Sequence, residues 1–367
     1  MLDPRIDKLA KVLVHHSLDL QPGERFALTS NTLASDLTLA VYREAVLAGA
    51  LVFPDIILPG AEELLMRHGN EEQLADVCPV QKLMAETFDA SLYIGADDNT
   101  RSLSGVAPER VSTRRKAYAP LSRITFRRAA AGELKWCYTV FPTQAFAQEA
   151  DMGLLDYADF VFGAGLLDED DPVALWRKEG ARQRRLIAWL AGHEQVVLKG
   201  ANIDLRLSIQ ERTFVEASGK ENFPDGEIYV SPVETSAEGW VRFSYPGIYA
   251  GQEVEDIELW FKEGRVVKET AAKGGELLTT LLDTDEGSRT LGELGFGTNY
   301  GIQRFTKNML FDEKIGGTIH LAIGAGFPEC GGLNESGLHW DMLCDMADSE
   351  VTVDGEVFFK NGRFAIE

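Results

Sequence analysis

The chain has 367 residues, 45% hydrophobic and 26% charged, with 36 basic against 58 acidic side chains and a formal net charge of −22. That charge repels phosphate backbones and anionic lipid, which argues against nucleic-acid and membrane partners, and it attracts cations, metal ions and peptide amino groups among them. No apolar run is long enough for a transmembrane helix, and no low-complexity stretch or solenoid-type repeat is present, so one large or two ordinary globular domains are expected.

Residues 4–17 read as a helix with Leu9, Val12 and Leu13 on one face, and Met1 to Leu13 lacks the n-region and apolar h-region expected of a signal peptide. Then follow a strand at 25–30, helical periodicity over 33–48, and a strand at 50–57 interrupted by Pro54. Helices near 60–68 and 72–88 lead to the apolar strand 90–95. The Arg- and Ala-rich stretch 108–131 reads as helix, 136–140 as strand, and 143–150 and 154–165 as helices. A long helix over 170–194 is capped by Asp170 and Asp171, with Pro172 in its first turn. Strand–helix alternation of this kind implies a mostly parallel sheet with flanking helices.

After residue 194 the pattern changes. Short strands are expected at 196–198, 204–209, 228–230, 240–244 and 257–261, with one helix over about 270–283. The tail alternates around Asp354-Gly355 and Asn361-Gly362, a hairpin signature. The fold class expected is α/β, with an N-terminal domain over 1–193 and a β-rich α+β metal-binding, catalytic domain over 194–367. The cysteines, Cys78, Cys137, Cys330 and Cys344, are widely spaced without a CxxC pair, and read as free thiols of a cytoplasmic protein.

Six histidines are available to chemistry. His15 and His16 are helical neighbours that point in different directions, and His68 and His193 fall near helix ends. His339 and Asp341 form His-Trp-Asp, and in an extended segment residues two apart project on one side. His320 is read as ending a short apolar strand before LAIGAG. Glu227 leads from a Pro-Asp-Gly turn into a strand, and Glu293 lies among glycines and apolar residues, where a carboxylate is costly unless paired or bound to a cation. Taken singly, each has a plain structural explanation. Together the three carboxylates and two imidazoles make a near-neutral site for two divalent ions with a hydroxide between them, and mixed oxygen and nitrogen donors suit zinc, cobalt or manganese.

The segments NFPDGE, LGELGFGTN, LFDEKIGGTIHLAIG and NESGLHWD, in this order, resemble the metal-ligand segments of the M29 metallo-aminopeptidases, the aminopeptidase T group, as does the earlier YTVFPTQAFAQEADM. The resemblance implies that Glu227, Glu293, His320, His339 and Asp341 are metal ligands and that Glu293 bridges two divalent ions or acts as a base. It also implies release of N-terminal residues from short peptides and a homodimer enclosing its active sites. Phe327 stands where the family has a tyrosine near the metals, and the segment from His320 to His339 is shorter than in the best-known members. Tyr300 is a phenol nearby in sequence. The chemistry expected is attack of a metal-activated hydroxide on the first peptide carbonyl, with a carboxylate such as Glu313 shuttling the proton.

Other readings stay open. A ring-cleaving iron dioxygenase on a related fold would need His320, His339 and Asp341 alone, and has no use for Glu227 and Glu293. A non-catalytic peptide-binding homologue, or hydrolysis of another small amide, is also compatible with the sequence.

Overall fold

A computed structural model of the chain describes residues 3–249 and 251–366. It is α/β and divides into two compact units, Met1–Trp176 with Gly219–Pro224, and Arg177–Ser218 with Asp225–Glu367. The units thus interleave in sequence where the sequence reading places one cut at 193/194.

The first unit holds a five-stranded parallel sheet in the order Leu51–Ile57, Arg25–Asn31, Ala90–Gly95, Lys135–Val140 and Asn222–Phe223. Parallel neighbours need crossover connections, which the helical segments between the strands supply. The helix expected over 72–88 is two, Glu71–Ala75 and Pro79–Thr87. Pro79 excludes the helical region for the residue before it, and Cys78 is accordingly extended at ψ 122°. The Arg-rich helix Pro108–Ala130 buries no residue, and its arginines have a local task. Arg110 donates to the carbonyls of Met66 and Gly69, Arg114 to those of Leu74 and Asp76, and Arg128 to those of Ala85 and Phe88. These carbonyls lie at the C-terminal ends of three short helices, where orphan acceptors and the helix dipole favour a cation.

Among the described residues the second unit carries three antiparallel sheets, the smallest being the pair Gly247–Tyr249 and Gln252–Val254. In the largest, eight strands run in the order Arg265–Thr270, Glu258–Lys262, Glu238–Arg242, Ile203–Ser208, Gln195–Lys199, Glu350–Val353, Glu356–Lys360 and Arg363–Phe364. The tail forms the expected hairpins, with Asp354-Gly355 and Asn361-Gly362 both at positive φ, as two-residue turns of this kind require. The helix expected over 270–283 starts only at Gly275, because Arg265–Thr270 pairs as a strand.

The remaining sheet has five strands, in the order His339–Asp345, Thr318–Gly324, Leu291–Gly297, Glu227–Val230 and Val215–Ala217. Its side chains alternate between two faces. Ile228, Val230, Leu294, Phe296, Ile319, Leu321, Ile323, Trp340, Met342 and Cys344 point one way, into the apolar core of the unit. The intervening residues of the same strands are Glu227, Tyr229, Glu293, Gly295, Gly297, His320, Ala322, Gly324, His339 and Asp341. Apolar burial of one face therefore sets the register of the other, since a one-residue slip would exchange the two sets.

Candidate metal centre

Cross-strand pairing places the chemistry. Glu293 lies opposite Ala322, which lies opposite Asp341. His320 lies opposite Gly295, which lies opposite Tyr229, and Glu227 opposite Gly297. His320 is the third residue of its strand and not, as the sequence reading has it, the last. Gly295 makes room for it: a Cβ there would fall inside the van der Waals envelope of the His320 ring. Gly297 likewise lets its strand pass close to the Ile315 carbonyl, where any Cβ would collide.

The five residues singled out in the sequence come together in two overlapping groups, Glu227–Glu293–His320 and Glu293–His339–Asp341. Glu293 belongs to both. Its Oε1 is 3.3 Å from His320 Nε2 and its Oε2 is 3.1 Å from His339 Nε2. His320 Nε2 also lies 3.1 Å from Glu227 Oε2, and His339 Nε2 3.4 Å from Asp341 Oδ2. The remaining histidines lie elsewhere: His15 is 3.6 Å from Glu44, and His193 stacks on Trp189.

The arrangement suits cations. Asp341 Oδ1 is buried and has no hydrogen-bond partner among the described residues. His339 Nδ1 donates to the Ala325 carbonyl at 2.9 Å, which leaves Nε2 as the lone-pair side of the neutral ring, turned toward the carboxylates. A backbone acceptor behind a ligating imidazole is the usual way its tautomer and orientation are fixed.

The electrostatics of the cluster follow from burial and pairing. Burial alone would raise the Glu227 carboxyl, but Lys314 and His320 outweigh it and hold the group below its ordinary value. Burial would also raise Glu293 and Asp341; the hydrogen bonds from His320 and His339 keep Glu293 low, and His339 keeps Asp341 low. Burial disfavours charged His339, yet Asp341 and Glu293 push it up to about 11, and His320 rises well above its ordinary value through Glu227 and Glu293. The neighbouring carboxylates thus favour the protonated form of both imidazoles.

Lys314, Asp225, Glu313, Phe327 and Tyr229 also belong to this neighbourhood. Lys314, fully buried, lies 2.5 Å from Glu227 Oε1 and 3.8 Å from Asp225 Oδ1, and also contacts the half-buried Glu313. Burial pushes the Glu313 carboxyl up to about 8, against the pull of Lys314 and with the help of Glu227 and Asp341. Phe327 packs against the His339 ring at 4.9 Å and against Tyr229 at 5.2 Å between centroids. Tyr300 donates its hydroxyl to the Gly362 carbonyl at 3.0 Å, so that phenol is engaged away from the cluster. The sequence reading passes over Lys314, Asp225 and Tyr229. The available signal was strand parity, which puts Tyr229 on the face of Glu227, and a lysine between an acidic pair and an apolar Ile-Gly-Gly.

Comparisons with known proteins bear on the family and the fold. The profile of the M29 family, described as thermophilic metalloprotease, matches residues 2–364. Aminopeptidase 2 of Geobacillus stearothermophilus is 28% identical over 100% of this chain and 98% of its own length. Aminopeptidase T of Thermus thermophilus is 28% identical over 95% and 94%. Among solved structures, wild-type AmpT from Thermus thermophilus superposes with a TM-score of 0.85 at 25% identity, covering 99% of both chains. A 2,5-dihydroxypyridine dioxygenase from Pseudomonas putida shares the fold at a TM-score of 0.60 and 13% identity, over 99% of this chain and 97% of that one.

Proposed function

From the premise that the chain belongs to the M29 metalloprotease family, we propose that it is an aminopeptidase releasing N-terminal residues from short peptides, with two divalent ions at its centre. The family implies a divalent metal cofactor; the count of two rests on Glu293. One carboxylate with its two oxygens turned to two different imidazoles is the arrangement a bridging ligand needs, and each side has its own second carboxylate, Glu227 or Asp341. Charge agrees. With the Glu313 carboxyl pushed up to about 8, the carboxylates of Asp225, Glu227, Glu293 and Asp341 less the Lys314 ammonium leave three negative charges at neutral pH, close to the four positive charges of two divalent ions. Zinc, cobalt or manganese fits a donor set of carboxylate oxygen and imidazole nitrogen.

When bound, the ions would supply Lewis acidity to the scissile carbonyl and bring the pKa of a coordinated water toward neutrality. Glu227, Glu293, His320, His339 and Asp341 hold them. Glu313 takes the proton of the attacking water and passes it to the leaving amine; a carboxyl held near 8 exchanges protons readily at neutral pH. His339, fixed from behind by Ala325 and flanked by Phe327, keeps one orientation throughout the cycle. A homodimer and a cytoplasmic setting complete this reading. Among the described residues no helix is long and apolar enough to cross a membrane, and the cysteines are unpaired.

The iron dioxygenase reading would use only His320, His339 and Asp341. It leaves two buried carboxylates, Glu227 and Glu293, touching His320 without a task, so the likeness to the dioxygenase stays one of fold.

Two results test this reading. Glu313→Gln removes the proton carrier while leaving the proposed ligands in place; kcat should fall about 100-fold or more with metal content unchanged. Wild-type turnover in that variant would exclude Glu313 as the base. Metal uptake should release protons, because His320 and His339 sit above their ordinary values in the metal-free protein and must be neutral to bind. Calorimetric titration at pH 7.5 in buffers of different ionisation enthalpy should show about two protons released per chain, and affinity should weaken as pH falls. Heats independent of buffer would contradict it.

A further inference from the structure

Among the described residues Lys314 is the one buried ammonium at this centre, and its surroundings show what it does. Its backbone is fixed before its side chain is considered. The Lys314 carbonyl accepts from Asn299 N at 3.1 Å, and Gly316 N donates to the Asn299 carbonyl at 2.9 Å, a parallel bridge at the end of the Leu291–Gly297 strand. Close passage is possible there because Gly297 has no Cβ. Asn299 Nδ2 donates to the Asp225 carbonyl at 2.8 Å, so one asparagine ties the segment carrying Glu227 to the segment carrying Lys314. From this anchored position the side chain, 1% exposed, runs to Glu227 Oε1 at 2.5 Å, with Glu313 and Asp225 completing its surroundings. It reaches no solvent, and so no substrate.

The consequence falls on Glu227. With Oε1 held by Lys314, Oε2 is the oxygen that lies against His320. The same ammonium contacts the Glu313 carboxylate. We propose that Lys314 is a positioning residue of the metal centre: it fixes Glu227 so that a single oxygen, Oε2, faces the cation, and it holds Glu313 beside that cation. This rests on the reading of the cluster as a metal site. It adds that Glu227 binds through one oxygen and that the lysine acts only through the two acids.

Charge and orientation predict opposite results for removal of the lysine, which makes the inference testable. An ammonium close to two cations repels them, so on charge alone Lys314→Met should tighten metal binding. If Lys314 orients Glu227, the same variant should loosen it, by about 10- to 100-fold, as loss of an outer partner of a ligand does. The experiment is a chelator-competition titration with zinc on the full-length protein, for wild type, Lys314→Met, Glu227→Ala and the double variant. We expect Lys314→Met to weaken zinc at one site, and to change affinity less than about threefold when Glu227 is already alanine, since the effect passes through that carboxylate. In peptide hydrolysis kcat should fall while KM holds, because Lys314 touches no substrate.

Should Lys314→Met fail to fold, Lys314→Met with Asp225→Asn and Glu313→Gln removes the stranded charges and leaves all five ligands for the same titration. Unchanged or tighter zinc binding on loss of the lysine, or equal weakening with and without Glu227, would overturn the inference. Wild-type protein that takes up no zinc, cobalt or manganese would instead overturn the metal-centre reading, and this inference with it.

Discussion

Replacing Glu293 with alanine should abolish metal-dependent peptide cleavage while the chain stays folded. Glu293 is buried and central in its sheet, and its two oxygens are divided between His320 and His339. Loss of a ligand shared by both halves of the site removes several kcal/mol of transition-state stabilisation, so activity should drop about 1000-fold or more. Metal content should fall with it. Removing the acid also leaves two imidazoles without their common partner, so Glu293→Gln, which keeps shape and one carbonyl oxygen, serves as the packing control. Circular dichroism and metal analysis of both variants separate loss of the site from loss of the fold. Cleavage at the wild-type rate in either variant would remove Glu293 from the ligand set.

Gly295→Ala should be nearly as damaging, although it adds one methyl group and removes no functional atom. The new Cβ would occupy the space of the His320 ring, and Tyr229 lies opposite Gly295 on the neighbouring strand. The ring must rotate away or the strands must part, and overpacking of this kind costs about 1–3 kcal/mol. Metal affinity should fall about 100-fold as His320 Nε2 leaves its place between Glu227 and Glu293. Chelator competition and thermal melting measure the two effects together. Alanine at 295 with unchanged metal affinity would show that His320 binds from some other orientation.

How much of this could be read in the sequence follows from the periods involved. The parallel sheet was legible because strands and helices alternate at the lengths that crossovers demand, and the terminal hairpins because Asp-Gly and Asn-Gly suit positive φ at both turn residues. The short strands Val215–Ala217, Gly247–Tyr249 and Gln252–Val254 were not, since two or three residues carry too little alternation to register. The interleaving of the units was equally hidden: Gly219–Pro224 belongs to the first unit through the pairing of Asn222 and Phe223 with Tyr138 and Thr139, a contact between residues more than 80 positions apart.

At the site, Glu227, Glu293, His320, His339 and Asp341 were found as residue types out of place, and the structure gathers all five on one sheet face. The place of His320 within its strand is hidden in the sequence because apolar residues run on past it, Leu321 to Ile323, and Thr318 to Gly324 is buried along its whole length. In the sequence a lysine beside Asp312 and Glu313 looks like part of a solvated turn, so nothing marks Lys314. Only the fold shows that Asp225 and Glu227, almost ninety residues earlier, close over it. Phe327 remains a departure from the tyrosine expected there, and its ring contacts with His339 and Tyr229 are packing contacts that offer no hydroxyl.

A two-ion aminopeptidase centred on Glu293 should show itself in elemental mass spectrometry of the purified protein together with hydrolysis of a leucine-based chromogenic amide, with and without chelator. Close to two zinc, cobalt or manganese ions per chain are expected, and cleavage that chelator abolishes and added metal restores. One iron per chain with no amide cleavage, or cleavage indifferent to chelator, would contradict it.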